Sequence, residues 1–447
     1  MTPSLAPPFD RAAMAAFAAP RTSFAERLAA WVPALVLLNP ILIWPLLYAT
    51  PMGGGHGLNF GFGASQSYLI HKIWMPPLFG LTVVMALFAG RRHLQLNMAY
   101  IIGFAMFFAW SALSVVWALA PALAASRLAL QIMIALSIYL SFALVKDPRK
   151  ILEPVFWVIV VSVFANVASV VIRPPGPIGH EGIFEHKNNL GAFCVVAIMF
   201  ALYRLSWGNT FGKLVALMIL PICIALIAVS LSKTSAGLLP VCVLAGFAGS
   251  AVARWLRVSA ALQFFGILVL MIVGVFLAES MLNLDFWDLS AIVTGDPTFT
   301  GRTDIWAFTL DQVMQRPIGG YGFRSFWQIG AESPALKTGA TFTAQTAHAH
   351  NGYIDIMLHG GLVALFLFLP MLVMGLHLAG RIADRSFLAG SACLTLMVFS
   401  ILYNLLETSW FLGTNVAFII FHIAWLSIIY DPINVRPASG EAQPWRM

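Results

Sequence analysis

The sequence predicts an all-α integral membrane protein, with about twelve transmembrane helices and one large loop. Of its 447 residues 60% are hydrophobic and only 10% are charged, and the mean hydropathy is +0.86, a composition outside the range of water-soluble domains. The apolar residues form runs of about 18 to 25 rather than alternating strands of about ten, so the backbone satisfies its hydrogen bonds in helices and not in a barrel. The basic residues behind the net charge of +7 sit in twos and threes between those runs. That is the pattern of topology determinants and not the single patch that would bind nucleic acid.

Residues 1–28 are an Ala- and Pro-rich tail carrying Arg11, Arg21 and Arg27. The apolar run behind it is too long for a cleaved signal sequence and is expected to remain as an anchor. Nine spans are expected within 29–280, near 29–49, 74–90, 98–118, 123–146, 151–172, 188–207, 212–231, 234–253 and 259–280. Residues 281–351 form the long connection. Three more spans, near 352–377, 387–406 and 409–430, occupy 352–430, and 431–447 is a second tail. With the N-terminus in the cytoplasm, 16 of the 25 Lys and Arg residues fall on that side, the orientation that the positive-inside rule favours. The other basic residues, Lys72, Arg127, Arg173, Lys187, Lys233, Arg302, Arg316, Arg324 and Lys337, lie against the bias or within a span. Another reason for their placement is expected. Cys194, Cys223, Cys242 and Cys393 all lie in apolar segments without metal-ligand spacing, which predicts neither disulfide nor metal.

Loops as long as 281–351 are usually functional. Within this one, Gly301-Arg302-Thr303-Asp304-Ile305-Trp306 opens a segment with Trp306, Leu310, Val313 and Met314 at helical spacing, closed by Pro317 and Gly319-Gly320. It reads as a short interfacial helix with Arg302 at its N-terminus, where unpaired N–H groups and the positive dipole end favour an anion. The alternative is that Arg302 pairs with Asp304 or snorkels to headgroups. Arg316 through Trp327 is a glycine-broken turn with aromatics and Arg324, readable as a sugar-stacking surface or an aromatic-belt anchor. At the mouth of the tenth span stands Thr346-Ala347-His348-Ala349-His350-Asn351-Gly352-Tyr353. With no third ligand spaced for a metal, a histidine as general base is the better role, beside a purely capping role. The loop from Arg173 to Asn189 is expected on the same face, so Arg173 and Lys187 are candidates to join Arg302 around a pyrophosphate, or else bind headgroups. Lys233, in the turn Ser232-Lys233-Thr234-Ser235, is a further candidate on that face. No nucleotide-binding P-loop and no Asp-x-Asp pair is present, which points to a substrate that carries its own energy.

Four blocks, in order, resemble the bacterial O-antigen ligase and polysaccharide polymerase superfamily, and most closely its exopolysaccharide-polymerase branch. They are Gly182-Ile183-Phe184 through His186-Lys187-Asn188 to Leu190-Gly191, then Gly301 to Trp306, then Gly320-Tyr321-Gly322-Phe323, then Ala349-His350-Asn351-Gly352-Tyr353. The ligases' His-Asn, nine residues, Gly pattern is met by His350-Asn351 and Gly361, but Ala364 stands at its last place. The resemblance implies transfer of a glycan from an undecaprenyl-pyrophosphate donor to a sugar hydroxyl on the periplasmic side of the inner membrane, with no metal or other cofactor. Basic residues hold the pyrophosphate and a histidine acts as base. In this reading Arg302 and His350 are catalytic, and Lys187, Arg173, Arg324, His348, Asn351 and Lys233 bind substrate. The implied partners are the lipid-linked donor, a glycan or lipid acceptor, the bilayer, and chain-length and export proteins. A ligase acting on lipid A core or protein is the alternative within the superfamily. A transporter or flippase is the alternative outside it, with Arg127, Glu279 and Glu407 marking a pathway.

Overall fold

The computed structural model describes residues 24–43, 69–89, 94–184, 186–259, 301–337 and 346–434, with parts of 262–277. Among them there is no strand beyond an isolated bridge between Gly176 and Gly179, and the chain is all-α. Helix α1 is Phe24–Leu38, α2 Leu69–Ala89, α3 Met98–Ser114, α4 Pro121–Leu144, α5 Arg149–Ile172 and α6 Lys187–Arg204. Helix α7 is Thr210–Ser230, α8 Lys233–Leu256 with a π turn at Leu244–Ala248, α9 Arg302–Gln315, α10 Gly352–Arg385, α11 Phe387–Leu406 and α12 Val416–Ile429. Eight helices among the described residues are at least 18 residues long and apolar enough to cross a bilayer. The protein is polytopic. The ninth expected span, 259–280, lies largely outside the described residues, as do both tails and Glu279.

Caps written into the sequence start the helices. The Asn97 side chain accepts the Tyr100 N–H at 3.0 Å, Asn209 accepts that of Gly212 at 2.9 Å, and α4 opens on Pro121, which has no N–H to leave unpaired. Helix α6 is buried almost all round and packs against α7, α11 and α12, which makes it a central post of the bundle. Helix α12 is likewise buried from Phe418 to Ile429. Leu87, Phe88, Val171 and Ile172 are exposed by contrast, as side chains that meet lipid are.

Two spans differ from the sequence reading, and both differences build the site. The span expected at 409–430 begins only at Val416, because 407–415 is a non-helical connection. Asn404 Oδ1 accepts the backbone N–H of Ser409 at 2.9 Å and of Trp410 at 3.3 Å, so the apolar residues Trp410 and Phe411 are buried in a turn and not in a helix. The span expected at 352–377 runs on to Arg385 and is broken at Gly360 and Gly361, where Gly361 has φ +68°. Into that break fits the turn 317–321: Tyr321 N–H donates to Leu358 O and Leu362 N–H to Pro317 O, both at 2.7 Å. Any side chain on Gly361 would collide with Ile318 O at 1.9 Å. The freed backbone groups are thereby satisfied by protein, the condition for irregular chain at membrane depth.

Candidate functional site

The same close fit overturns the reading of 316–327 as a sugar-stacking surface. Tyr321, Phe323, Phe326 and Trp327 are all buried, with exposures of 5% or less. The Phe323 N–H donates to Ser114 Oγ at 3.0 Å and Tyr321 Oη to Gln312 Oε1 at 3.0 Å. The turn is a structural plug between α3 and α10. Helix α9 does form and begins at Arg302. Its buried side is Ile305, Thr309 and Val313 with Trp306 packed beside them, while Leu310 and Met314 stay exposed, so only half of the expected apolar stripe is packed.

Arg302 does not pair with Asp304. Its guanidinium donates to Oε1 of Glu407, a carboxylate only 4% exposed. The other oxygen, Oε2, accepts His350 Nδ1–H at 2.9 Å, and Asn188 Nδ2 donates to Oε1 at 2.6 Å. Ser232 Oγ in turn donates to Asn188 Oδ1 at 3.0 Å, and the backbone N–H of Gly352 donates to Glu407 O at 3.2 Å. The Glu407 carboxylate therefore holds Arg302 of α9, Asn188 of α6 and His350 just before α10, with α8 joined through Ser232 and Asn188 and the start of α10 through the Glu407 carbonyl. Burial pushes the Glu407 carboxyl up, but the hydrogen bond from His350 and the charges of Arg302 and the histidines outweigh it, and the net shift is downward. It stays an anion.

Three of those four helices begin on a cation: Lys187 in α6, Lys233 in α8 and Arg302 in α9. The first turn of a helix carries the positive end of its dipole and ordinarily attracts acidic residues. Cations there favour an anion in front of them, and Arg302 has the Glu407 carboxylate. Lys187 Nζ reaches only the carbonyl of Leu231, at 3.3 Å. Glycine makes the packing possible, since a side chain on Gly191 would strike Ser235 Oγ at 2.5 Å and one on Gly352 would strike Asn404 Oδ1 at 2.3 Å.

The two histidines are not equivalent. The His350 N–H donates to His348 Nδ1 at 3.2 Å, and the rings lie 4.2 Å apart. Burial, then the charge of His350, drives His348 down to about 3, so it is neutral and a weak base. His186, which caps α6 by accepting the Asn188 N–H at 3.2 Å, is also lowered, chiefly by burial. His350 sits in the left-handed region at φ +49°, a conformation costly for a side chain this size. Its side chain is 28% exposed, and with Nδ1 held by Glu407 its Nε2 is the nitrogen left to act. Among the described residues no group of three or more His, Cys, Asp or Glu could hold a metal ion.

Asn351 caps α10: its Oδ1 accepts the N–H groups of Tyr353 and Ile354 at 3.0 and 3.1 Å, and its Nδ2 donates to Leu405 O at 3.1 Å. Both ends of the amide are spent on backbone, which makes it a positioning residue for His350. Arg173 ends α5 and has no hydrogen bond or ion pair to the Glu407 group. Arg324 is 9% exposed and lies beside Gly413, apart from the Glu407 contacts. Arg127 donates to the carbonyls of Arg324, Trp327 and Gln328, the last two at 3.2 Å, and so holds the plug and not a pathway.

Glu407, Asn188 and His186 were the residues that sequence reasoning left out of the site. Beneath them Asp355, 1% exposed, ties three loops together. Its Oδ1 accepts Trp327 Nε1–H at 2.7 Å, and its Oδ2 accepts Ala349 N–H at 3.0 Å and Thr408 Oγ–H at 2.5 Å. Asp355→Ala leaves these buried donors unpaired and is expected to lower stability by about 3 kcal/mol or more. Thermal unfolding in detergent measures it, and a melting temperature equal to wild type would refute the bracing role.

The fold and site define a polytopic membrane protein with a cationic, histidine-bearing centre at one end of its bundle. Residues 220–369, a third of the chain, match the family model described as O-antigen ligase, so the superfamily resemblance holds over that stretch, which contains three of the four blocks; the first, Gly182 to Gly191, lies before it. A Rickettsia prowazekii (strain Madrid E) protein, provisionally named a polysaccharide ligase, is 30% identical over 122 residues, which cover 26% of this chain and 30% of that one. A Rickettsia conorii (strain ATCC VR-613 / Malish 7) protein with the same provisional name is 29% identical over 119 residues, covering 26% and 29%. The chain thus matches less than a third of the length of these relatives.

Proposed function

We propose that the chain is a glycan polymerase of the bacterial inner membrane. It would transfer an undecaprenyl-pyrophosphate-linked oligosaccharide to a sugar hydroxyl of a second chain, on the periplasmic face. The observation that carries this is the Arg302–Glu407–His350 group: a base with one nitrogen fixed on a buried carboxylate that also holds Arg302, at the end of the bundle where the helix beginning on Lys187 also starts. The family match and the relatives' names support the glycan-transfer class, and the distribution of basic residues supports the orientation.

In this reading Arg302 and Lys187 face the donor pyrophosphate, Arg302 with the donors that Glu407 does not use. The acceptor hydroxyl gives its proton to His350 Nε2 as its oxygen bonds to the anomeric carbon. The bond from that carbon to the pyrophosphate oxygen breaks, and the electron pair leaves with the lipid pyrophosphate, whose charge the cations stabilise. Glu407 fixes the imidazole and stabilises the imidazolium that forms. Displacement at the anomeric carbon inverts its configuration. His348, held neutral to about 3, serves to hold the His350 backbone.

Purified chain in liposomes, given a lipid-pyrophosphate-linked repeat unit in EDTA, is expected to yield a ladder of lengthened lipid-linked products. Transfer only to lipid A core would establish the ligase reading instead. Loss of all transfer in EDTA with recovery on added magnesium would overturn the metal-independent mechanism. Alkaline phosphatase fused near Lys337 is expected to be active, which reads the orientation of the site.

A further inference from the structure

Arg324 is a buried guanidinium, 9% exposed, at a residue held in the left-handed region at φ +47°. Among the described residues it makes no ion pair and its side chain donates no hydrogen bond. A second cation, Arg127, lies close by, its guanidinium on the backbone carbonyl of Arg324 itself. Arg127 is compensated by three backbone carbonyls. The Asp355 carboxylate, which bonds Trp327 three residues on, has both oxygens occupied by Trp327, Ala349 and Thr408. A buried cation without a counter-ion is costly, and such residues in membrane proteins mark sites of function.

A second unpartnered donor stands at the same place. Gln131 is fully buried, its Oε1 accepts the Gly413 N–H at 3.2 Å, and its Nε2 has no partner. Gly413 joins the two groups, because a side chain there would lie 2.8 Å from Arg324 Nη1 and push the guanidinium away. The glycine keeps the space around the guanidinium open. The sequence connection 407–415 therefore has a cationic centre near each end, Arg302 on Glu407 and Arg324 beside Gly413. Six residues of chain cannot span more than about 22 Å, so the two centres are neighbours at one end of the bundle.

We propose that Arg324 and Gln131 form a second anion site that takes the phosphate headgroup of a second lipid-linked glycan. The inference rests on the polymerase reading, in which donor and acceptor both carry a lipid pyrophosphate and only the donor loses it. The acceptor's headgroup needs a holder separate from Arg302, which must bind the leaving group. A fork of guanidinium donors beside an amide N–H suits phosphate oxygens.

The test is the binding stoichiometry of radiolabelled farnesyl pyrophosphate to the purified full chain in detergent. Wild type is expected to bind two equivalents, Arg302→Ala one, Arg324→Gln one and the double variant none. Arg324→Lys, which keeps the charge, is expected to retain the second equivalent at roughly tenfold weaker affinity. One equivalent on wild type, lost entirely in Arg302→Ala, overturns the proposal, as does an undiminished two equivalents on folded Arg324→Gln. Should Arg324→Gln fail to fold, the wild-type count and Arg324→Lys still decide. Displacement of the second equivalent by inorganic pyrophosphate and not by farnesol supports phosphate recognition, and the reverse refutes it. If Arg324→Gln loses one equivalent while Arg302→Ala loses none, the second site stands and the donor assignment to Arg302 falls.

Discussion

Replacing Arg302 by alanine is expected to lower glycan transfer by on the order of 10³-fold or more, the scale on which removing a positioned stabiliser of leaving-group charge is felt. The side chain is 12% exposed and bound to a carboxylate, so the substitution also strips Glu407 of its ion-pair partner. Arg302→Lys restores a charge but not a fork that can hold Glu407 with one arm and phosphate with another, and is expected to recover only part of the rate. A rate loss shared by Arg302→Ala and Arg302→Lys, at wild-type abundance, separates the fork from the charge. Full activity in Arg302→Lys would reduce the residue to a point charge.

The second large effect belongs to Glu407. Glu407→Ala leaves Arg302 and Asn188 facing an empty, buried space and is expected to destabilise the protein by about 3–5 kcal/mol. Glu407→Gln keeps the shape and an acceptor oxygen for Arg302 but removes the charge that stabilises protonated His350, so transfer is expected to fall by about 10²- to 10⁴-fold while the fold survives. The folded carboxyl is held below its ordinary value. Its contribution to stability is therefore complete above the ordinary carboxylate range and is lost as pH falls through the lowered folded value. Glu407→Gln is expected to flatten that acid-side fall, measured as melting temperature against pH. An unchanged acid limb would show that Glu407 carries no charge in the folded protein.

The fold class was legible because the bilayer dictates run length and internal hydrogen bonding, and both are written in the order of apolar residues. The starts of α9 and α10 were legible for a local reason: Gly301, Asn351 and the residues around them determine helix caps over a few positions. Glu407 was not, because it stands at the end of an apolar helix and nothing local in the sequence marks its partners. Only tertiary packing places it against Arg302, 105 residues earlier, and His350. A signal existed in its cost, since an acid at the end of a membrane span demands a partner, but nothing in the sequence says which cation supplies it. The burial of Tyr321, Phe323 and Trp327 was hidden for the same reason. Aromatics beside glycines suit a sugar surface and a plug equally well, and the break at Gly360–Gly361 decides for the plug.

Transfer by this site requires His350 as the base, with Nδ1 held by Glu407 and Nε2 acting on the acceptor. The direct measurement is polymer length and yield on a silver-stained gel from a deletion strain complemented with His350→Ala, with membrane abundance matched to wild type. Loss of high-molecular-weight polymer, with farnesyl pyrophosphate still bound by the purified variant, is the predicted result. A wild-type ladder from a normally abundant His350→Ala protein would contradict it and leave His350 and Glu407 as packing.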